Sequence, residues 1–320
     1  MKHPYMINLK DPDDCIGKYV DMDRDADFVK ERMDLLLEIL GPGETCEVTR
    51  SVFYKDNEAH CHMAKRGFET FVVGEGEFEV TVRGRRCRVS KGDILHFGSF
   101  NAHRMKWLKD TPWIGLFHNM NISQPTKDKM LLSEKCPEMN DKELADVFSA
   151  SYDLYDLAPP VTTDVQKTEI YEVRPKGFAF AEFEYDGVAL RQKVGRWETD
   201  GIYEIWEYDM EDGFLAGNSR PDPNPCVYYV TGGSVRFKVF DDEFIAPEES
   251  IVHIPPYGIH SFRSEGKSSL LSLKGGAMLF DLISEWKSYE ANDPEKLKDA
   301  VFVGELKKKY NCYITDWGRA

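Results

Sequence analysis

The sequence has no CxxC pair, no long apolar run and no excess of basic charge. Each absence removes a class of protein. Its seven cysteines stand without metal-type spacing, which argues against a cysteine-based zinc site or a thioredoxin-like redox pair. No stretch approaches the roughly eighteen consecutive apolar residues of a membrane helix, so no membrane partner is expected. The opening "MKHPYMINLKDPDDC" lacks the apolar segment of a secretory leader. The thiols are therefore expected to be reduced in a cytoplasmic setting, where the sequon Asn121-Ile122-Ser123 carries no meaning. The net charge is −15. Such a field repels phosphates and excludes a nucleic-acid partner as the first expectation. The single basic cluster is Arg83, Arg85, Arg86 and Arg88. It lies between two strand-like runs and reads as a solvated hairpin.

What is present is apolar, aromatic and strand-like. With 320 residues, 42% hydrophobic and 12% aromatic, the chain has material for two ordinary domains. Residues 1–44 read as an N-terminal arm with one helix. In "DADFVKERMDLLLEIL", Phe28, Met33, Leu36 and Leu40 fall on one helical stripe, which Gly41-Pro42-Gly43 ends. Residues 45–123 carry short runs such as "CEVTRSVFY", "TFVVGEG" and "DILHFG", separated by turn residues at close spacing, as in an antiparallel sandwich or barrel. Residues 124–166 read as a helical linker, with Asn140 as cap and Glu143 three residues on. Strands resume over 167–277. Residues 278–320 form a helical tail, with Asp293 as cap and Pro294 at the first helical position.

The two strand-rich halves repeat each other. "GEFEVTVRGRRCRVSKGDILHFGSFNAH" (76–103) aligns without a gap on "GSVRFKVFDDEFIAPEESIVHIPPYGIH" (233–260). A constant shift of 157 places Gly76 on Gly233, Val82 on Val239, His96 on His253 and His103 on His260. Duplication is the reading this supports.

The first half carries the chemistry. Strand alternation points His60 and His62 the same way. Glu69, on the next strand, faces them, and His103 arrives from another strand after a tight turn. Three imidazoles and a carboxylate suit one divalent first-row metal: iron, copper, nickel or zinc by imidazole preference, with manganese admitted by the carboxylate. These residues resemble the cupins. Their first motif, two histidines one apart, a glutamate and a glycine beyond it, is matched by His60, His62, Glu69 and Gly76. Their second motif, a Gly-Asp turn leading to a loop and a histidine, is matched by Gly92-Asp93, "GSF" and His103. Here the gap from His62 to Glu69 is longer than usual, and the loop lacks the customary proline. The resemblance implies two cupin-type antiparallel β-barrels (a mainly β fold of jelly-roll type), with His60, His62, Glu69 and His103 as ligands of one divalent ion per chain. Iron or manganese is favoured.

The second half reads as a decayed copy, with Cys226 in Glu69's place and His260 retained. A Cys226–His260 pair admits nucleophilic or redox chemistry; a metal-free packing barrel is the favoured reading. His96 and His253 correspond, and His96 is a candidate for orienting a metal ligand. His118 is a candidate proton shuttle, and Glu69 a second candidate for proton transfer. Phe71 and Val73 share Glu69's parity, as Met105 and Trp107 share His103's, which predicts an apolar and aromatic pocket beside the metal. That lining favours a dioxygenase-type enzyme acting on a small aromatic or enolic substrate. The alternatives are a redox-neutral isomerase, lyase or decarboxylase acting on a sugar acid or keto acid, and a non-catalytic module that binds metal or a small molecule. A homodimer is expected, to cover sheet edges.

Overall fold

A computed structural model describes residues 3–21, 31–41, 44–59, 61–120, 122, 135–136, 138, 154–156, 170–218, 221–312 and 314–319. The chain divides into two compact units. One comprises Cys15–Gly177; the other joins Met1–Asp14 to Phe178–Ala320. The first strand, β1 (Met6–Asn8), belongs to the latter.

In the unit Cys15–Gly177 the strands are β2 (Gly17–Asp21), β3 (Glu31–Gly41), β4 (Glu44–Phe53), β5 (His62–Ala64), β6 (Phe68–Val73), β7 (Glu77–Val82), β8 (Arg85–Ser90), β9 (Ile94–Phe97), β10 (His103–Trp107), β11 (Thr111–His118), β12 (Leu154–Asp156) and β13 (Val173–Arg174). They form a seven-stranded sheet, β13-β9-β6-β11-β4-β3-β2, and a five-stranded sheet, β12-β5-β10-β7-β8. One core cluster draws on both sheets: Phe71, Val73 and Trp113 from the first, Phe78, Met105 and Trp107 from the second. Period-2 alternation explains this, since one face of each sheet must be covered.

The expected helix of the N-terminal arm is replaced by strand β3. Glu31–Gly41 pairs with β4 along its length, from Glu31↔Phe53 to Gly41↔Glu44. Met33, Asp34, Leu35, Leu36 and Leu37 are all buried, so both faces of this strand are covered. A run buried on every side, Asp34 included, does not distinguish strand from helix by its period. The linker helix expected over "NDKELADVF" lies outside the described residues. Leu154–Asp156, inside the expected linker, instead forms β12 beside β5.

The other unit contains β14 (Glu182–Tyr185), β15 (Val188–Val194), β16 (Ile205–Met210), β17 (Phe214–Asn218), β18 (Cys226–Val239), β19 (Asp242–Pro247), β20 (Ser250–Ile254) and β21 (His260–Lys274). Helices α1 (Leu279–Asn292) and α2 (Ala300–Lys309) follow, then β22 (Ile314–Arg319). The sheet order is β1-β20-β18-β21-β16-β15-β14, with β19 on β18 and β17 between β21 and β22. The tail helix begins at Ala300, not Pro294. Asp299 supplies the cap, accepting from the Val301 and Phe302 amides. Asp293 makes no side-chain cap, and only a short 3-10 turn follows it.

Strand pairing carries the internal repeat far beyond the 28 aligned residues. Glu69↔Phe97 in the first unit becomes Cys226↔Ile254 in the second. His103↔Val82 becomes His260↔Val239. Thr111↔Phe53 becomes Ser268↔Met210, and Glu31↔Phe53 becomes Val188↔Met210. Even the register break at Leu35/Leu37 recurs at Gln192/Val194. Every one of these pairs is related by the same shift of 157.

Candidate metal centre

Register places the site. Glu69 lies opposite Phe97 on one side and Phe117 on the other, and Phe117 lies opposite Glu47. Directly paired residues share a sheet face, so this row looks into the barrel. From the facing sheet, His103 lies opposite His62 on one side and Val82 on the other. Glu69 is 2% exposed and His103 1%. Glu69 Oε2 is 3.3 Å from His103 Nε2 and 3.9 Å from His62 Nε2. One ligand atom from each of the three residues lies within 4.8 Å of the others. Phe97 stacks on the His103 ring at 3.7 Å between centroids, with 5° between planes, and so fixes its tilt.

The protonation of His103 follows from its neighbours. Its Nδ1 is 3.0 Å from the backbone carbonyl of Asn101, which can only accept. Nδ1 therefore carries the proton, and Nε2 presents a lone pair. That lone pair faces a carboxylate oxygen, so two acceptors confront each other in a dry interior. Neither His103 Nε2 nor Glu69 Oε1 finds a hydrogen-bond partner. Such an arrangement is costly alone and is relieved by a cation placed among the three residues. The donor set thus fits a divalent metal. Burial by itself would raise the Glu69 carboxyl, but whenever the rings take up a proton, hydrogen bonding and charge from His103, then His62, hold it well below the usual carboxylate range, so it stays a carboxylate in either case. Burial and the nearby His62 lower His103 against the opposing pull of Glu69. A charged carboxylate beside neutral imidazoles is the protonation state that metal binding requires.

The loop before His103 is fixed without proline. Phe100 N donates to Ala64 O at 2.7 Å, which ties the loop to the strand carrying His62. The Asn101 side-chain amide donates to the buried Glu172 carboxylate at 2.8 Å. A chain thus runs from Glu172 through Asn101 to the ring of His103. Sequence reasoning missed both residues. Asn101 carried a weak signal, its place two residues before the ligand. Glu172 lies 71 residues away in sequence from Asn101 and carried none. The His62-to-Glu69 connection bends at Lys65-Arg66 and then passes Gly67, where a Cβ would meet Met120 Cγ.

Other expectations sort by face. Phe71, Val73, Met105 and Trp107 line the interior as expected. His118 does not. It pairs with Phe68 and Cys46, on the sheet face opposite Glu69, and so is corrected from a shuttle beside the metal to a buried residue of the outer face. His96 lies on that same outer face, bonded to Thr70 Oγ1 at 2.8 Å, and does not orient a metal ligand. His60 lies outside the described residues. The arginine hairpin is ion-paired, Arg88 to Glu77 at 3.1 Å and Arg86 to Glu79 at 3.4 Å.

In the second barrel, His260 keeps the same support, with Nδ1 3.2 Å from Gly258 O. Its Nε2, however, is engaged by the Tyr228 hydroxyl at 3.0 Å. Tyr228 stands at the position of Phe71. Burial, aided by Asp222, pushes the Cys226 thiol up to about 12, so no thiolate is available there.

Residues 51–117 match the family model of the cupin domain. No curated protein matches the sequence. Among solved structures, a cupin 2 conserved barrel domain protein from Leptotrichia buccalis superposes with a TM-score of 0.50 at 12% identity, covering 86% of this chain and 98% of that one. Oxalate decarboxylase from Bacillus subtilis at pH 4.6 gives 0.49 at 14% identity, over 85% of this chain and 75% of that one. The Lactobacillus farciminis oxalate decarboxylase formate complex gives 0.49 at 10%, over 85% and 86%. The fold is mainly β, with cupin-like antiparallel sheets. Among the described residues, no helix is long and apolar enough to cross a membrane.

Proposed function

We propose that the chain is a metal-dependent enzyme whose centre is His62, Glu69 and His103, with His60 as a further ligand. The observation that carries this reading is the buried confrontation of His103 Nε2 with the Glu69 carboxylate, 3.3 Å apart. When bound, a divalent ion supplies Lewis-acid or redox chemistry at a substrate oxygen. The residues around it define what can be held. Phe71, Trp113, Trp107 and Phe53 form aromatic walls; Phe53 stacks on Trp107 at 4.2 Å and Phe71 on Trp113 at 4.3 Å. Into the same interior project four buried polar atoms without protein partners: Thr49 Oγ1, Ser51 Oγ, Trp107 Nε1 and Trp113 Nε1. Apolar walls with a few convergent polar groups are the composition of a small-molecule site. They favour a compact aromatic or enolic substrate with several oxygens over a sugar, and with it dioxygenase-type chemistry. Iron and manganese suit the mixed imidazole and carboxylate donors.

Metal analysis of the untagged protein and of Glu69→Gln tests the centre. Oxygen uptake by iron-loaded protein with catechols and enediols tests the reaction. Turnover of keto acids without oxygen would replace the oxidative reading with a redox-neutral one. Wild-type protein that retains no divalent ion would remove the metalloenzyme itself.

A further inference from the structure

The second barrel keeps an interior for which the metal centre has no use. At positions equivalent to Glu47, Thr49, Ser51, Glu69, Phe71 and Gly115 stand Glu204, Trp206, Tyr208, Cys226, Tyr228 and Ser272. All six line one small cavity of about 50 Å³, together with Asp222. By the volume a water requires, about 10–15 Å³ of such space, it has room for a few waters or one polar group of a ligand. Its hydrogen bonds form a neutral chain. Tyr228 donates to His260 Nε2, His260 Nδ1 donates to Gly258 O, and the Cys226 thiol lines the same cavity. Burial raises both acids at this cavity. Glu204 is pushed up to about 7, and Asp222 is raised in the same direction. The lining therefore offers hydroxyls beside two carboxyls whose ionisation burial opposes.

A second cavity, of about 420 Å³, adjoins the first; Leu279 and Ile314 line both. Its remaining walls come from the C-terminal helices, which also bring Glu290 and Lys307, from Cys312 and β22, and from Tyr185 of β14. They include Leu282, Ile283, Trp286, Trp317 and Tyr185. That volume lies within the range of about 300–1,000 Å³ typical of small-molecule sites. A polar cavity and a mainly apolar one thus share the wall of Leu279 and Ile314, and a metal is disfavoured in the smaller one because His260 Nε2 is already engaged by Tyr228.

We propose that the second barrel and its C-terminal helices bind an uncharged hydroxylated aromatic molecule, with its ring against Trp286 and Trp317 and its hydroxyl among Tyr228, Glu204 and Ser272. A hydroxyl both donates and accepts, as this lining requires. A carboxylate in the hydroxyl's place would face the carboxyl groups of Glu204 and Asp222, while Lys307, the cation lining the larger cavity, donates to Ile314 O, so its burial there is costly.

Calorimetric titration of the full chain with 1-naphthol and 1-naphthoate tests the site, supported by tryptophan fluorescence. The expected result is saturable 1-naphthol binding at one site per chain, with 1-naphthoate at least about tenfold weaker. Tyr228→Phe and Trp286→Ala are each expected to weaken naphthol binding by about fivefold or more, through the lost hydrogen bond and the lost aromatic wall. Stripping metal with chelator should leave the affinity unchanged, which separates this site from the proposed centre in the first barrel. The proposal is overturned by absence of saturable binding to wild-type protein, by equal affinity for naphthoate, or by unchanged affinity in either variant.

Discussion

Glu69→Gln should make the metal-free protein more stable and the metal-loaded protein less so. In the metal-free wild type, a carboxylate oxygen sits 3.3 Å from the lone pair of His103 Nε2, and Glu69 Oε1 has no hydrogen-bond partner. A glutamine of the same shape can turn its amide N–H towards Nε2 and satisfy it. An unsatisfied buried group costs about 1–3 kcal/mol, so the stripped variant should exceed stripped wild type by about that amount. Metal reverses the order. A cation present at about a hundredfold its dissociation constant adds about 2.7 kcal/mol to the state that binds it. The variant lacks the anionic ligand and should gain little of this. Urea unfolding of stripped and manganese-loaded samples near pH 8, where unperturbed imidazoles are neutral, reads both effects. Trp107 and Trp113 lie in the core beside the site and report its unfolding by fluorescence. A stripped variant less stable than stripped wild type would mean that His103 donates to Glu69 as an ordinary ion pair, and the argument for a poised metal site would fail. An equal metal-dependent gain in both proteins would remove Glu69 from the ligand set.

Three further outcomes follow from the same geometry. His118→Gln should leave metal content unchanged while costing about 1–3 kcal/mol of stability, since a buried polar residue is altered on the face away from Glu69; loss of bound metal would return His118 to the site. Asn101→Ala keeps the carbonyl that holds His103 but cuts its tether to Glu172, and should weaken metal binding about 10- to 100-fold. Competition against a chelating dye measures this, and unchanged affinity would show the tether to be irrelevant. Glu204 ties α1 to β16, accepting from Trp206 Nε1 at 2.6 Å and Phe280 N at 3.2 Å. Burial pushes its carboxyl to about 7 from an ordinary 4.5, against the lowering effect of those bonds. Between those two values the folded state holds a proton that the unfolded chain releases, so this group's stabilisation is full below about pH 4.5 and lost by about pH 7, up to about 3 kcal/mol in all. Glu204→Gln should flatten that slope in denaturation series from pH 5 to pH 8; an unchanged slope would place its source elsewhere.

The site was legible in the sequence wherever a strand period governed it. Glu69, His62 and His103 were found because alternation fixes which side chains share a face, and the pairing His103↔His62 brings two of them together. His118 was assigned the wrong face because its parity relative to Glu69 depends on the pairing Phe117↔Glu69, and pairing across a long connection is not written in either strand. The duplication was legible over 28 residues but extends to β3, where side-chain identity has drifted and only the register persists. The arm's strand was misread for a related reason. Met33–Leu37 is buried on both faces, the charged Asp34 included through its pair with Arg50 at 2.8 Å, so its polar residue does not mark a solvent face.

What the two halves conserve is backbone, and what they exchange is side chains. Five positions with positive φ recur at the shift of 157: Asp56 and Gly213, Gly76 and Gly233, Arg83 and Phe240, Gly92 and Glu249, Phe100 and Tyr257. Left-handed backbone at a bulky residue costs of order 1–3 kcal/mol, yet Phe100 (φ 61°) and Tyr257 (φ 63°) both adopt it. The strain is retained because that turn delivers the following histidine into register, as His103↔Val82 and His260↔Val239 attest. Glycine stands at one member only in Gly92 with Glu249 and in Asp56 with Gly213, and the positive φ persists in both. Interior side chains face no such constraint, since each exchange alters one group in a cavity already built. Glu69 to Cys226 removes the anion, and Phe71 to Tyr228 supplies a hydroxyl that occupies the remaining imidazole. The exchange is not confined to those two positions: the shift of 157 also sets Ser219 at the place of His62, and the pair Phe117↔Glu69 gives way to Lys274↔Val227, one residue from Cys226, so the second interior departs from the first both in its candidate ligands and in its local register.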